Sequence, residues 1–151
     1  MEDELFVKRR GSRAKSMAKF NALLSEYEQY VQAQHQHCIE CPSARCGPDV
    51  ARALLAWKIE DRDGHLGRWT REDILGYLGA AVEQEIVDFG IPEDSPEFCE
   101  AIFVASDCVE DFIYFLSDRG SLTGDGKQVL LEAVREVQER LPEEAPALKG
   151  S

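Results

Sequence analysis

Five side chains that can bind a metal or exchange electrons fall within twelve residues: His35, His37, Cys38, Cys41 and Cys46, in the run HQHCIECPSARC. Cys38-x2-Cys41 is the spacing at which one tight turn presents two thiolates to a single ion, as in tetrahedral zinc knuckles. Cys46, followed by Gly47, is near enough to fold back as a third ligand. His35 stands three residues before Cys38, on the same side of a helical turn, and is the expected fourth ligand. His37 is the alternative fourth ligand and needs an extended chain end. The expected cofactor is therefore a structural zinc on His35, Cys38, Cys41 and Cys46. An iron–sulfur cluster on the same cysteines is the alternative, and free thiols or a redox disulfide a third state.

A catalytic zinc keeps an open position for water and a carboxylate as base. Glu40 sits inside the knuckle, but residues between such ligands usually face solvent, and the H-x-E…C-x2-C deaminase order is absent. No residue is assigned a catalytic role. Cys99 and Cys108, nine apart, point to opposite sides of a helix and are expected in the core. His65 lies in a glycine-flanked loop and is expected at the surface. Glu83, Glu85, Asp88, Asp107, Glu110 and Asp111 are expected to form a solvated acidic face. Asp107 and Glu110 stand i, i+3, yet the Glu-x-x-His motif of di-iron bundles does not accompany them.

The elements that must position the cluster are all helical. Met17, Phe20, Leu24, Tyr27 and Val31 recur at helical spacing, with Leu23 and Tyr30 widening the stripe, so a first helix should start near Ser12 and end near His35. Pro42, Gly47 and Pro48 predict an irregular loop, with Pro48 opening a second helix over 48–60. Thr70 and Asp73 mark the start of a third, with Trp69 packing over its first turn. Its face is Ile74, Leu78, Val82, Ile86 and Phe89, and Gly90-Ile91-Pro92 stops it. Ser95 and Pro96 open a fourth helix to about residue 118. Its apolar residues, Phe98, Cys99, Ile102, Phe103, Ala105, Val109, Phe112, Ile113 and Leu116, cover most of the cylinder, so it should be the central one. A fifth follows SLTGDG, with Val129, Leu130, Val134, Val137 and Leu141 on one face.

With 151 residues, 44% of them hydrophobic and 30% charged, the chain has the composition of one globular domain. No run reaches the roughly 18–20 apolar residues of a membrane span, so no membrane contact is expected. Residues 1–20 show no signal-peptide pattern, which predicts a cytoplasmic, reducing setting where clustered cysteines read as metal ligands. The net charge of −12 is uneven. Residues 1–20 hold Lys8, Arg9, Arg10, Arg13, Lys15 and Lys19 against three acids, net +3, which leaves −15 on the remainder. A body that acidic disfavours general nucleic-acid binding. The basic start can meet an acidic partner or a neighbouring subunit.

RWTREDILGYL at 68–78, with FIYFLSDRGSLTGDG at 112–126 and the last amphipathic helix, resembles a helical accessory segment of uncharacterised actinobacterial proteins. The likeness covers about residues 68–141 and implies source and helical fold rather than an activity. CIECPSARC at 38–46 resembles a cysteine-bearing portion of the WhiB-like iron–sulfur regulators. Those carry a further upstream cysteine, a longer gap before the last one and a basic DNA-binding tail. Residues 1–37 hold no cysteine and the C-terminal part is acidic, so that function is not carried over.

The expectation is an all-α, single-domain five-helix bundle over 12–141 with an irregular Cys/His loop between helices 1 and 2. Residues 1–11 form a flexible arm and 142–151 a disordered tail. The expected role is a cytoplasmic protein-interaction or regulatory module, binding a protein partner or its own copies. A redox or iron–sulfur sensor is the alternative.

Overall fold

A computed structural model describes residues 2–34 and 42–141 of the chain. They form α1 (Glu2–Gln34), α2 (Pro42–Asp61), α3 (Arg71–Gly76), α4 (Val82–Asp88), α5 (Pro96–Asp118) and α6 (Gly124–Arg140). A π-helical turn, Tyr77–Ala81, joins α3 to α4 without a break, so the described residues make an all-α fold of five rods with no strand. Residues 142–151, expected as a tail, lie outside the described residues.

Most helix ends follow local chemistry. Thr70 caps α3 by accepting from the Asp73 amide at 3.3 Å, while Asp73 Oδ2 accepts from the Thr70 amide at 2.9 Å, a reciprocal capping box. Ser95 caps α5, with Pro96 in its first turn. Gly90 (φ 101°) and Gly120 (φ 82°) take the left-handed conformation after α4 and α5. At each, the next amide reaches back to a carbonyl five residues earlier: Ile91 to Ile86 at 3.2 Å and Ser121 to Leu116 at 2.9 Å. These are Schellman closures, which satisfy carbonyls that the helix end would otherwise orphan.

α5 is the central helix, as its all-round apolar sequence requires; eleven of its residues are buried, from Phe98 to Leu116. From α1, Phe20, Leu23, Leu24, Tyr27 and Val31 enter the core. Tyr27 meets Phe112 edge-on at 5.1 Å, and Tyr30 meets Phe115 at 5.3 Å, so α1 and α5 run in the same direction along their contact.

Four expectations are corrected. α1 starts at Glu2, not near Ser12, so the segment expected as an arm is helical. Met17 is 40% exposed and stands off the buried stripe. α2 starts at Pro42, which takes the first-turn position expected of Pro48. Gly47 and Pro48 are therefore inside the helix, not in an irregular loop. Pro48 costs the helix its bond to the Ala44 carbonyl. Gly47 lets α2 approach α1 so closely that an added Cβ would stand 2.9 Å from the Tyr27 hydroxyl.

The fourth correction concerns the outer surface. Phe89 is 85% exposed and Phe103 47%, and Val129 is also exposed, although each was expected on a packed face. Phe89 sits at the C-cap of α4, where the chain is already turning away through Gly90. The rest of that face, Ile74, Leu78, Val82 and Ile86, is buried throughout. Four-residue steps on an α-helix drift by about 40° each, about 120° over the three steps. A π-turn inserts one residue and takes back about 100°. The turn at Tyr77–Ala81 is what keeps all four on one side.

Candidate functional site

The expected metal centre sits where α1 ends and α2 begins. His35, His37, Cys38 and Cys41 lie outside the described residues. Cys46 is described: it is a half-buried free thiol on α2, four residues after Pro42. Residues four apart share a helix face, so Cys46 stands over the first residue of α2, next in sequence to Cys41. It is presented by a helix rather than folding back from a loop. Its neighbour Gly47 packs on Tyr27, which puts Cys46 close to the seam between α1 and α2. The donor types, three thiols and an imidazole within twelve residues, suit a tetrahedral zinc. Among the described residues no group of three or more His, Cys, Asp or Glu side chains is arranged for a metal. Cys99 and Cys108 are buried on α5, as expected of core residues, and His65 is exposed.

Sequence reasoning passed over a second cluster. Lys58 is fully buried and its Nζ lies 2.7 Å from Oδ2 of Asp73, itself 1% exposed. The ammonium also reaches Asp63 at 3.0 Å and stands 4.8 Å from the centre of the Trp69 ring. Arg62 Nε donates to the other Asp73 oxygen at 2.9 Å. Burial pushes the Asp73 carboxyl up, but hydrogen bonds from Lys58, Arg62 and the Thr70 amide outweigh it and hold the group below its ordinary value. The Asp63 carboxyl is also lowered, chiefly by the His65 amide. The loop between α2 and α3 is thereby tied to both helices, with Trp69 Nε1 donating to the Leu66 carbonyl at 2.8 Å. The signal for Lys58 was present: it follows Ala51, Leu54 and Leu55 at i+7, i+4 and i+3, inside the core stripe.

A third polar group joins α1 to α5. The fully buried Tyr27 donates its hydroxyl to Asp111 Oδ2 at 2.8 Å. Burial first, and then the Asp111 charge, push its ionisation far above the ordinary tyrosine value. Tyr30 donates to Asp118 at 3.3 Å, and burial with Asp111 and Asp118 pushes it up to about 12. Nearer the start of α5, Ser106 accepts from Gln138 Nε2 at 2.9 Å and donates to the Phe103 carbonyl at 2.7 Å. These contacts hold helices together.

The acidic face divides in two. Glu83, Glu85 and Asp88 on α4 are exposed, as expected of a solvated face. Asp107, Glu110 and Asp111 on α5 are half-buried, which corrects that expectation for them. Burial raises the carboxyls of Asp107 and Glu110, and Asp107 and Asp111 add to the rise at Glu110. Between Arg71 and Arg119 the chain has thirteen Asp and Glu residues and no Lys, Arg or His. Seven of the thirteen, Glu83, Glu85, Asp88, Glu93, Asp94, Glu97 and Glu100, are exposed around the α4–α5 corner. Among the described residues none of the seven has an ion pair.

No protein-family model, curated protein or solved structure matches the chain. Chemically, the described residues offer a helix-borne thiol beside the cysteine cluster, three polar ties inside the bundle, and an uncompensated acidic corner carrying an exposed phenylalanine. No described helix is long and apolar enough to cross a membrane.

Proposed function

We propose that this protein is an interaction or regulatory module of a reducing, cytoplasmic setting, with its first two helices stapled by a structural zinc. The observation that carries the reading is the acidic α4–α5 corner. Seven exposed carboxylates without an ion pair among the described residues fall within residues 83–100, the stretch that also carries Phe89, which is 85% exposed. A stretch with unpaired charge of one sign and an exposed aromatic side chain suits a basic, amphipathic partner by electrostatic complementarity. The buried polar groups, in contrast, are used up holding helices together: Lys58 with Asp73, Tyr27 with Asp111, Ser106 with Gln138.

The staple belongs to the same reading. Zinc held by His35, Cys38, Cys41 and Cys46, with His37 as the alternative fourth ligand, would fix the connection between α1 and α2. Cys46 on the second turn of α2, beside the Tyr27–Gly47 contact, supports it. Zinc would supply no chemistry there beyond holding four donors together.

Two measurements test the two parts. Elemental analysis with a thiol count on freshly purified protein should find one equivalent of zinc and protected cysteines, lost together in Cys41→Ser. A brown protein containing iron and sulfide would replace the zinc staple by an iron–sulfur sensor on the same cysteines. Metal-free protein with unchanged thermal stability would remove the staple. For the surface, a labelled, lysine-rich amphipathic peptide should bind with salt-sensitive affinity, and Phe89→Ser should weaken it at least about fivefold. No binding at low salt would overturn the interaction reading.

A further inference from the structure

We infer that the connection between α2 and α3, residues 62–70, is a strap that acid opens while the rest of the bundle stays folded. The strap closes over one side chain. Lys58 is fully buried near the end of α2, and its ammonium meets Asp63 at 3.0 Å, Asp73 at 2.7 Å and the Trp69 ring at 4.8 Å. All three partners come from the strap or from the first turn of α3. The Gly64 amide donates to the Lys58 carbonyl at 3.0 Å, and the Trp69 indole to the Leu66 carbonyl at 2.8 Å. Leu66 alone among residues 62–70 is buried in the core, with Trp69 packed against it, so charge does much of the closing.

Asp73 is the hub. Lys58 and Arg62 face it from α2, and the Thr70 amide donates to it from the strap. Asp63 approaches through the shared Lys58, with His65 adding positive charge beside it. On its own helix Glu72 is exposed, and Arg71 is held by Glu136 of α6. From α5 the strap meets the Phe112 ring, edge-on to Trp69.

Protonating Asp73 leaves two cations, Lys58 and Arg62, with Asp63 as the remaining carboxylate, and that side chain is 51% exposed. A buried ammonium short of counter-charge is costly, and the way to water for Lys58 leads through the strap. The Thr70 amide also loses a charged acceptor, which weakens the start of α3. The closed strap holds Asp73 and Asp63 below their ordinary 3.8, and opening returns them toward it. Opening therefore takes up protons, and acid favours it below about pH 4. On α5 the sense is reversed: burial raises Asp107 and Glu110, so acid relieves a strain there. The strap loosens where the central helix does not. Once open, it presents Leu66, Trp69, Lys58 and Arg62, an apolar and cationic surface on a chain of net charge −12.

The test is amide hydrogen exchange by NMR on the full-length chain from about pH 6 to about pH 3, expressed as protection factors. The Gly64, Thr70 and Asp73 amides and the Trp69 indole should lose about tenfold or more in protection across that range. The Val109 and Phe112 amides should keep theirs, and helical circular dichroism should persist. Asp73→Asn, uncharged throughout, should show the open strap already at neutral pH, with no further loss in acid. Lys58→Met with Asp73→Leu should keep the strap equally protected at both ends of the range. If Asp73→Asn does not fold, the comparison of strap with α5 in the wild type still decides. Protection lost together in the strap and α5 would mean that acid unfolds the whole bundle, and overturns the inference. So does a strap still protected at the acid limit, or the same acid loss in the Lys58→Met/Asp73→Leu chain.

Discussion

Lys58 and Asp73, fifteen residues apart on α2 and α3, form an ion pair of 2.7 Å with both side chains sealed from water. Asp73 serves twice. It closes the capping box of α3 with Thr70 and gives the buried ammonium its counter-charge. The same carboxylate starts a helix and docks that helix on its predecessor.

Removing either partner leaves the other, buried, with only part of its compensation: Lys58 keeps Asp63, and Asp73 keeps Arg62 and the Thr70 amide. Lys58→Met or Asp73→Leu should lower unfolding free energy by up to about 3–5 kcal/mol, whereas the two together should cost clearly less than the sum. Urea unfolding of the four proteins checks the cycle. An additive double variant would mean that the two charges are not coupled.

Acid should act on the bundle in two opposite senses. The Asp73 and Asp63 carboxyls are lowered on folding, from an ordinary 3.8. Their contribution is therefore complete above the unfolded value and is lost as pH falls through the depressed folded values. Asp107 and Glu110 are raised, so their ionised forms oppose folding and that opposition fades as pH falls through their raised values. Melting temperature should rise on leaving neutrality toward acid, pass through a maximum, and fall below about pH 4. Asp107→Asn with Glu110→Gln should flatten the upper limb and leave the lower one. A curve unchanged by that pair would contradict the assignment.

Gly47 and Tyr27 make a contact that admits no methyl group. The Cβ of Gly47→Ala would stand 2.9 Å from a hydroxyl that Asp111 and burial hold in place. The substitution should cost about 1–3 kcal/mol despite alanine's higher helix propensity. In a Tyr27→Phe background the obstructing oxygen is gone and the cost of Gly47→Ala should shrink or reverse. Thermal melts of the four proteins decide whether that oxygen is the obstacle.

At the π-turn, substitution and deletion should have opposite signs. Gly79 is exposed and nothing lies within 4 Å of a Cβ placed there, so Gly79→Ala should stabilise by about 0.5–1 kcal/mol. Deleting Gly79 would convert the turn to α-helix and rotate Val82 and Ile86 by about 100° relative to Ile74 and Leu78. Such a variant should melt far lower or fail to fold. A deletion as stable as the parent would show that the extra residue does not set the register.

The sequence by itself determined what neighbours along the chain can settle. Thr70 with Asp73, Ser95 with Pro96, and Gly90 and Gly120 mark helix ends because their partners are three to five residues away. The central place of α5 was legible because an apolar cylinder has nowhere else to go. Tertiary structure decided the rest, because it depends on what arrives from elsewhere. A lysine on a core stripe is tolerable only when Asp73 and Trp69 close over it. Pro48 stays inside a helix because Pro42 opens it and Gly47 seats it on Tyr27. Phe89 continues the pattern of its face but faces water, since the chain turns at Gly90. Of the candidate metal site, only Cys46 lies among the described residues, and the fold adds its helical setting. Spacing names donors that can share an ion, but only the packing of α1 on α2 sets how far apart they are held.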